Sequence, residues 1–363
     1  MAVLGAASSR AHWTARAAGR WLPPWEFWPM WAAYLPVAPW IAALAIRHGG
    51  IGTITAANPG MTDGGLVGES KFDILRTLPP EWTMASARID VGPLNLRVRA
   101  VTAFIERAGI AFPLILKPDV GQRGIGVRRV GSVDEARAYL FDARYAVVAQ
   151  RWHPGPYEAG LFYWRHPDEP RGRISSITDK IFPVVVGDGR STLAELVRGH
   201  ARYARQAQVF LARHLAKAHR VLDAGEQYAL GTVGNHCQGT MFRDGSHLWS
   251  PALEARVEAI AQQIPGFHIG RFDVRYADRA RFQAGEDLAI IELNGVTAEP
   301  TDVYDPDRPM TSAYRALFEQ WRRVFEIGAA NRRRGHPGAS IVRLAQLLWA
   351  HLRDPREFPT SRE

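Results

Sequence analysis

The chain has 363 residues, with 45 Lys and Arg against 36 Asp and Glu, 47% hydrophobic and 22% charged. That fits two or three folded domains with a substantial core and excludes wholesale disorder. The formal charge of +9 suits nucleic acid, a membrane surface or an anionic small molecule without choosing among them, while a single cysteine, Cys237, excludes a disulfide framework and any CxxC site and suits a reducing compartment.

Residues 1–25 carry Arg10, Arg16 and Arg20 and no acid, the composition of an organelle transit peptide or of a start placed too far upstream. The uncharged stretch Phe27–Ile46 is close to the ~20 residues that cross a bilayer. Pro29, Pro36 and Pro39 speak against a spanning helix, so it is expected to pack on the body or touch a membrane surface. Residues 49–80 read as loops with a short helix at FDIL. Val98–Ala108 is amphipathic and ends at Gly109, the pattern of a helix with a C-terminal glycine.

From Pro113 to Trp152 the order is strand (PLILKPD), glycine turn (GQRG), strand (IGVRRV), helix and strand (AVVAQRW). Ser132 with Glu135 predicts a capping box at the start of that helix. Strands follow at GLFYWR and RISSITDKIFPVVVG, then a helix opened by Ser191-Thr192. Residues 196–222 contain no acid and many Arg, His and Lys. The chain continues with the helix LEARVEAIAQQI, the strands GRFDVRYAD and LAIIELNG, a loop rich in Pro and Asp, and the helix TSAYRALFEQWRRVFEIGAANRRR. The class is α+β. The division expected is 1–95 as an N-terminal extension, 96–330 as the main domain (small part about 110–155, large part about 156–330) and 331–363 as a basic, solvated tail.

Lys117 ends an apolar strand before Gly121, Gly124 and Gly126, and such glycines let backbone N–H groups approach an anion. The pattern is neither a P-loop nor a Rossmann fingerprint, and a plain β-hairpin would look similar. Asp273, Glu292 and Asn294 lie on apolar strands, where acids are costly unless paired or bound to metal. Glu292 and Asn294 are two apart and share a strand face, giving an all-oxygen set suited to Mg²⁺ on phosphates. A salt bridge to Arg271 or Arg275 is the alternative. Lys180 is a second lysine in a strand, with snorkelling at a sheet edge as its plain reading.

PLILKPDVGQRGIGV, AQRWHPGPYEAG, ITDKIFPVVVGDGRSTLAELV, GRFDVRYAD and IIELNG, in that order, resemble the ATP-grasp superfamily, which includes D-alanine–D-alanine ligases, glutathione synthetases and cyanophycin synthetases. The resemblance runs from about Leu96 to Phe325. It implies an ATP-grasp fold, two α+β subdomains clamping ATP, here preceded by a Trp- and Pro-rich extension. By the same resemblance Lys117 and Lys180 contact ATP phosphates, and Gly121, Gly124 and Gly126 form the loop covering them. Gln150, Arg151 and Trp152 meet adenine, Glu158 stands in the region of the ribose-binding acid, and Asp273, Glu292 and Asn294 bind Mg²⁺, with Mn²⁺ as a substitute. Arg271 matches the arginine that stabilises the tetrahedral intermediate.

The chain departs from the D-alanine ligases after the metal asparagine, where it has NGVTAEPTDVYDP instead of a serine–proline–glycine loop. The implied activity is a cytoplasmic, ATP-dependent joining of a small-molecule or peptide carboxylate to an amine through an acyl phosphate, with no nucleic-acid partner. Glu299, Asp302 and Asp305, beyond the metal strand, are candidates to meet a cationic amine. The alternatives are a kinase-like or degenerate ATP-grasp member, and a membrane-surface binding protein using the N-terminal segment and the basic 198–220 stretch.

Overall fold

Apolar alternation builds two antiparallel sheets, one of four strands and one of five. The computed structural model describes residues 25–352 apart from Gln122 and Arg123, so the basic opening of residues 1–24 lies outside the described residues. In chain order the helices are α1 (Met30–Tyr34), α2 (Val37–Arg47), α3 (Lys71–Leu75), α4 (Leu94–Ala108), α5 (Val133–Asp142), α6 (Leu193–Gly199), α7 (Ala207–Arg213), α8 (Pro251–Gln263), α9 (Arg279–Gln283), α10 (Met310–Arg333) and α11 (Ile341–Leu352). The strands are β1 (Ser86–Ile89), β2 (Leu114–Pro118), β3 (Arg128–Val130), β4 (Val147–Arg151), β5 (Tyr157–Trp164), β6 (Arg173–Ile181), β7 (Val184–Val186), β8 (Gln227–Ala229), β9 (Met241–Asp244), β10 (Ile269–Tyr276) and β11 (Ala289–Asn294). The α+β class expected from the sequence is what the chain adopts.

The small sheet has the order β1-β4-β2-β3. Leu114 and Leu116 of β2 and Val147 and Ala149 of β4 face Val98, Val101 and Phe104 of α4 and Tyr139 and Leu140 of α5. Alternation therefore turns Ile115, Lys117, Val148 and Gln150 to the other face. α4 stops at Gly109, whose φ of 59° lets its N–H reach back to the carbonyls of Ile105 and Glu106. The capping box at α5 is half formed, because Glu135 turns back to the N–H of Gly131 and not to that of Ser132. The edge strand β1 begins at Ser86, so a boundary at residue 95 cuts through this sheet. Four residues of SARI are too short an alternation to read as a strand without their partner β4.

The large sheet has the order β11-β10-β5-β6-β9. Ala159 and Leu161 of β5, Ile177 of β6 and Phe272 and Val274 of β10 face α8, where Leu253, Val257 and Ile260 complete the largest core. The opposite face is apolar at one end only, where Phe162, Trp164 and Ile269 meet α2 and α10. Its other end is polar and forms one wall of a cleft. A satellite core around Val185, Leu193, Val197 and Phe210 carries the short pair β7–β8 and the basic segment near residue 200.

The stretch Phe27–Ile46 packs on the body. Pro29 and Pro36 occupy the N-cap positions of α1 and α2, and Pro39 falls in the first turn of α2, where no intrahelical N–H is needed. Val37 and Leu44 are buried against Leu317, Trp321, Val324 and Phe325 of α10. Burial of each such side chain is worth about 1.5–3 kcal/mol. Among the described residues, no helix is long and apolar enough to cross a membrane.

The segment expected to be a solvated tail is largely exposed and carries a helix. Residues 341–352 form α11, and Arg343 pairs with Asp63 at 2.7 Å. Arg332 donates to the carbonyls of His48 and Gly49 and to Thr53 Oγ1. The arginines that made the segment look like a tail tie it to the body. Residues 353–363 lie outside the described residues.

Candidate active site

Strand alternation puts Arg271, Asp273 and Arg275 on one face of β10, and the register aligns them with Glu158 on β5, Lys180 on β6 and Glu292 and Asn294 on β11. Lys180 Nζ lies 2.9 Å from Glu158 Oε1 and 3.1 Å from Asp273 Oδ1. It is buried in an interior strand, not snorkelling at an edge. Arg271 clasps Asp273 with Nε at 3.0 Å and Nη2 at 3.3 Å, and its Nη1 reaches the Glu299 carbonyl at 3.1 Å. Arg275 Nε donates to Glu158 Oε2 at 3.1 Å. Asn294 Nδ2 donates to Asp273 Oδ2 at 3.3 Å. Burial would raise the proton affinity of Asp273, but Arg271 and then Lys180 oppose it, and the carboxyl is held at about 2. Gly160 makes room, since a Cβ there would sit 3.1 Å from Arg271 Cδ and 3.3 Å from Asp273 Oδ1.

The small sheet closes on this wall through a bulge. Asp273 pairs with Glu292 and Val274 with Ile290, which leaves Ile291 as the extra residue of β11. Its carbonyl accepts from Lys117 Nζ at 3.0 Å and from Gln150 Nε2 at 3.3 Å. Lys117 Nζ also donates to Gln150 Oε1 at 3.0 Å. Burial pushes the Lys117 ammonium down to about 8, with Glu292 opposing and Lys71 adding to the shift. Gly124 and Gly126 have φ of 66° and 74°, open to glycine at little cost, while Gln122 and Arg123 of the same turn lie outside the described residues.

Lys117, Lys180, Gln150, Arg271, Asp273, Glu292 and Asn294 are thus brought together, and Gly121 joins them through Lys71. Trp152 lies beside them, with the guanidinium groups of Arg275 and Arg129 at 4.4 and 5.3 Å from its ring. Arg151 is exposed, and its N–H is bound to the Ala85 carbonyl. Glu158 departs from the ribose role implied by the resemblance: both its oxygens are engaged, by Lys180 and by Arg275, in the interior of the large sheet. The salt-bridge alternative for Asp273 and Glu292 is realised in part. Asp273 pairs with Arg271, but Glu292 pairs with Lys71 and with neither arginine.

The acidic trio after the metal strand does not converge on one amine. Asp302 is buried against Ser176 and Arg308, and Asp305 accepts from the Asp244 N–H and pairs with Arg243. Glu299 alone stays near Arg271, and it accepts from Tyr34 and, at 2.6 Å, from Tyr304. Tyr34 belongs to α1, so the N-terminal extension lines this end of the cleft.

Sequence reasoning missed Lys71. Its Nζ lies 2.6 Å from the Gly121 carbonyl and 3.0 Å from Glu292 Oε1. The segment is anchored by Asp119 at the end of β2, which accepts from Ser70 Oγ and the Phe72 N–H at Oδ1 while its carbonyl accepts from the Lys71 N–H. The signal available was GESKFDIL itself, a lysine between an acid and a helix start, which only the fold connects to KPD. Glu69 stands nearby, pushed up to about 7 by burial, with Lys71 opposing and Glu292 adding.

Two carboxylates opposite one another on adjacent strands, with an amide beside them, fit a divalent cation that completes its shell with phosphates and water. Asp273 and Glu292 are both held ionised, as ligands must be. Among the described residues, no group of three or more His, Cys, Asp or Glu could hold a metal ion.

No known family profile matches the chain, and no curated protein matches it. Among solved structures the chain is similar to a D-alanine–D-alanine ligase from Bacillus anthracis at 14% identity, covering 74% of this chain and 69% of that one, with a TM-score of 0.40. A D-alanine–D-alanine ligase from Coxiella burnetii shares 10% identity over 78% of this chain and 60% of its own, with a TM-score of 0.38. A bifunctional glutathione synthetase from Pasteurella multocida shares 14% identity over 71% of this chain, with a TM-score of 0.36, and the match spans only 38% of the synthetase. Two enzyme types named in the sequence resemblance therefore recur among these structures.

Proposed function

We propose that the chain is an ATP-grasp enzyme that joins a carboxylate to an amine, converting ATP to ADP and phosphate. One observation carries the reading. The cleft gathers Lys71, Lys117, Lys180, Arg271 and Arg275 around Glu158, Asp273, Glu292 and Glu299, five cationic side chains against four carboxylates in a largely buried site. Such an excess is self-repelling without a ligand and is relieved by a polyanion such as a nucleotide triphosphate. Glu69, partly protonated near neutral pH, does not cancel it.

In this reading Lys117 and Lys180 bind the phosphates of ATP, and the glycine turn brings its backbone N–H groups over them. Asp273, Glu292 and Asn294 would hold Mg²⁺, which neutralises phosphate charge when bound. The γ-phosphoryl group passes to the carboxylate substrate, forming an acyl C–O–P linkage as the bond to the β-phosphate breaks. The amine then attacks the acyl carbon, the new oxyanion is met by Arg271, and inorganic phosphate leaves. Tyr34, Tyr304 and Glu299 border Arg271 and would line the pocket of one substrate.

Hydroxylamine tests the reading as a general amine. With ATP, Mg²⁺ and small carboxylates extracted from cells, the enzyme should release ADP and form a hydroxamate in step. ADP release without hydroxamate would favour a kinase, and no ADP release would remove the reading.

A further inference from the structure

We propose that the protein docks on an anionic lipid surface through its two terminal segments, with α1, α2 and α11 laid against the headgroups. The inference stands apart from the nucleotide reading, because none of the docking side chains belongs to the charge cluster of the cleft.

α2 is apolar on both sides. Val37 and Leu44 face the body, whereas Ala38, Ala42, Ala43 and Ile46 are exposed, and Arg47 is the only charged residue of the helix. A surface helix ordinarily turns polar residues outward, so an apolar outer face signals something further that covers it. α1 adds Trp31 and α11 adds Ile341 and Val342, with exposures of 71%, 75% and 68%, beside 85% at Ile46.

α2 and α11 are neighbours, because both border the short helical stretch Ile51–Ala57. That stretch follows α2 directly, and Arg332 at the end of α10 donates to the carbonyls of His48 and Gly49. The segment entering α11 then runs along it. The Ala339 N–H donates to Thr55 Oγ1, and a Cβ on Gly52 would collide with the Ala339 carbonyl. At the other end of α2, α1 sends Tyr34 inward to Glu299, so the face adjoins the end of the cleft that borders Arg271.

Charge decides what covers the face. Residues 1–47 and 331–363 hold eleven arginines against four acids, whereas residues 48–330 hold 34 Lys and Arg against 32 Asp and Glu. The terminal segments therefore carry seven of the nine net positive charges. Among their described residues the one acid is Glu26, which is buried against Arg202. A second copy of the chain would set like charges against each other. Anionic headgroups instead meet the exposed Arg47 and Arg333, while Trp31 and Ile46 enter the boundary with the acyl chains, a depth that tryptophan favours.

Vesicle sedimentation of the full chain without nucleotide tests the proposal. Mixed phosphatidylglycerol–phosphatidylcholine vesicles should pellet the protein, and phosphatidylcholine alone should bind it at least about 10-fold more weakly, since each cation near the surface contributes several-fold. Ile46→Glu and Val342→Glu change exposed positions and should keep the melting temperature. Each should lower affinity for the anionic vesicles about 10-fold or more, because an inserted apolar side chain is lost and a repelled charge is gained. Ile46→Leu should bind as the wild-type protein does.

No pelleting of the wild-type chain, equal binding to neutral vesicles, or undiminished binding by Ile46→Glu overturns the proposal. Undiminished binding by Val342→Glu overturns the role of α11. A wild-type dimer in sedimentation velocity that Ile46→Glu dissociates, with no vesicle binding, would give the face to a second copy of the chain and overturn the lipid assignment.

Discussion

Two of the buried charge clusters among the described residues differ in a way that separates a structural device from a binding site. Near the N-terminal extension, Arg202 Nη1 lies 2.6 Å from both oxygens of Glu26, and His236 Nε2 is 2.9 Å from Glu26 Oε2. His236 and Arg202 together hold Glu26 below the usual carboxylate range against the cost of burial. One acid meets one permanent cation, and aromatic rings of Trp25, Phe27 and Tyr304 surround the group. In the cleft the same residue types are out of balance, with cations in excess and Lys117 lacking a direct acidic partner. A balanced buried pair needs nothing further to be satisfied, whereas an unbalanced one implies a missing anion.

Removing one partner from each cluster should therefore have opposite consequences. Glu26→Gln leaves Arg202 buried beside a neutral group and should cost about 3–5 kcal/mol, as breaking buried pairs usually does. Chemical denaturation reads this directly, and the folded fraction should still bind nucleotide. A loss below about 1 kcal/mol would erase the contrast.

Arg271→Met sharpens the comparison within the cleft. Asp273 keeps Lys180 at 3.1 Å, so the fold should survive. Amide or hydroxamate formation should fall about 10²–10³-fold, the scale for one oxyanion donor, with ATP binding barely changed. Normal ligation would remove the role.

Lys117→Met takes away a desolvated charge that no acid contacts. Nucleotide affinity should drop about 10–100-fold while stability holds or rises. The wild-type protein should also show a pH effect with a definite sign. Because the free-state ammonium titrates near 8, phosphate affinity should be greatest below that pH and decline above it. Ligand-free stability should gain between about pH 8 and 10.5, where the unfolded lysine still holds its proton and the folded one has released it. Both trends should vanish in Lys117→Met.

Local sequence exposed much of the cleft because charge on an apolar strand is conspicuous. Lys117, Lys180, Asp273 and Glu292 each interrupt a hydrophobic run, and the period of two predicted that Glu292 and Asn294 share a face. The bulge at Ile291 was invisible, since nothing in AIIELN announces the extra residue. Lys71 was invisible for another reason: its place depends on Asp119, 48 positions later, and on Glu292 far beyond that. The Glu26 cluster joins residues 176 and 210 positions apart, so no local pattern could reveal it. α11 was hidden by composition, because the arginines before it dominated an apolar helical period.

The most direct measurement of the central claim is the melting temperature of the full chain with and without Mg²⁺–ATP. A ligand that binds the unbalanced cleft in the folded state alone adds about 2.7 kcal/mol at a hundred times its dissociation constant. The account predicts a rise of several degrees for the wild-type protein with Mg²⁺–ATP, a smaller rise when the metal is chelated, and a smaller rise for Lys117→Met at the same ligand concentration. An unchanged melting temperature for the wild-type protein at millimolar Mg²⁺–ATP would contradict it.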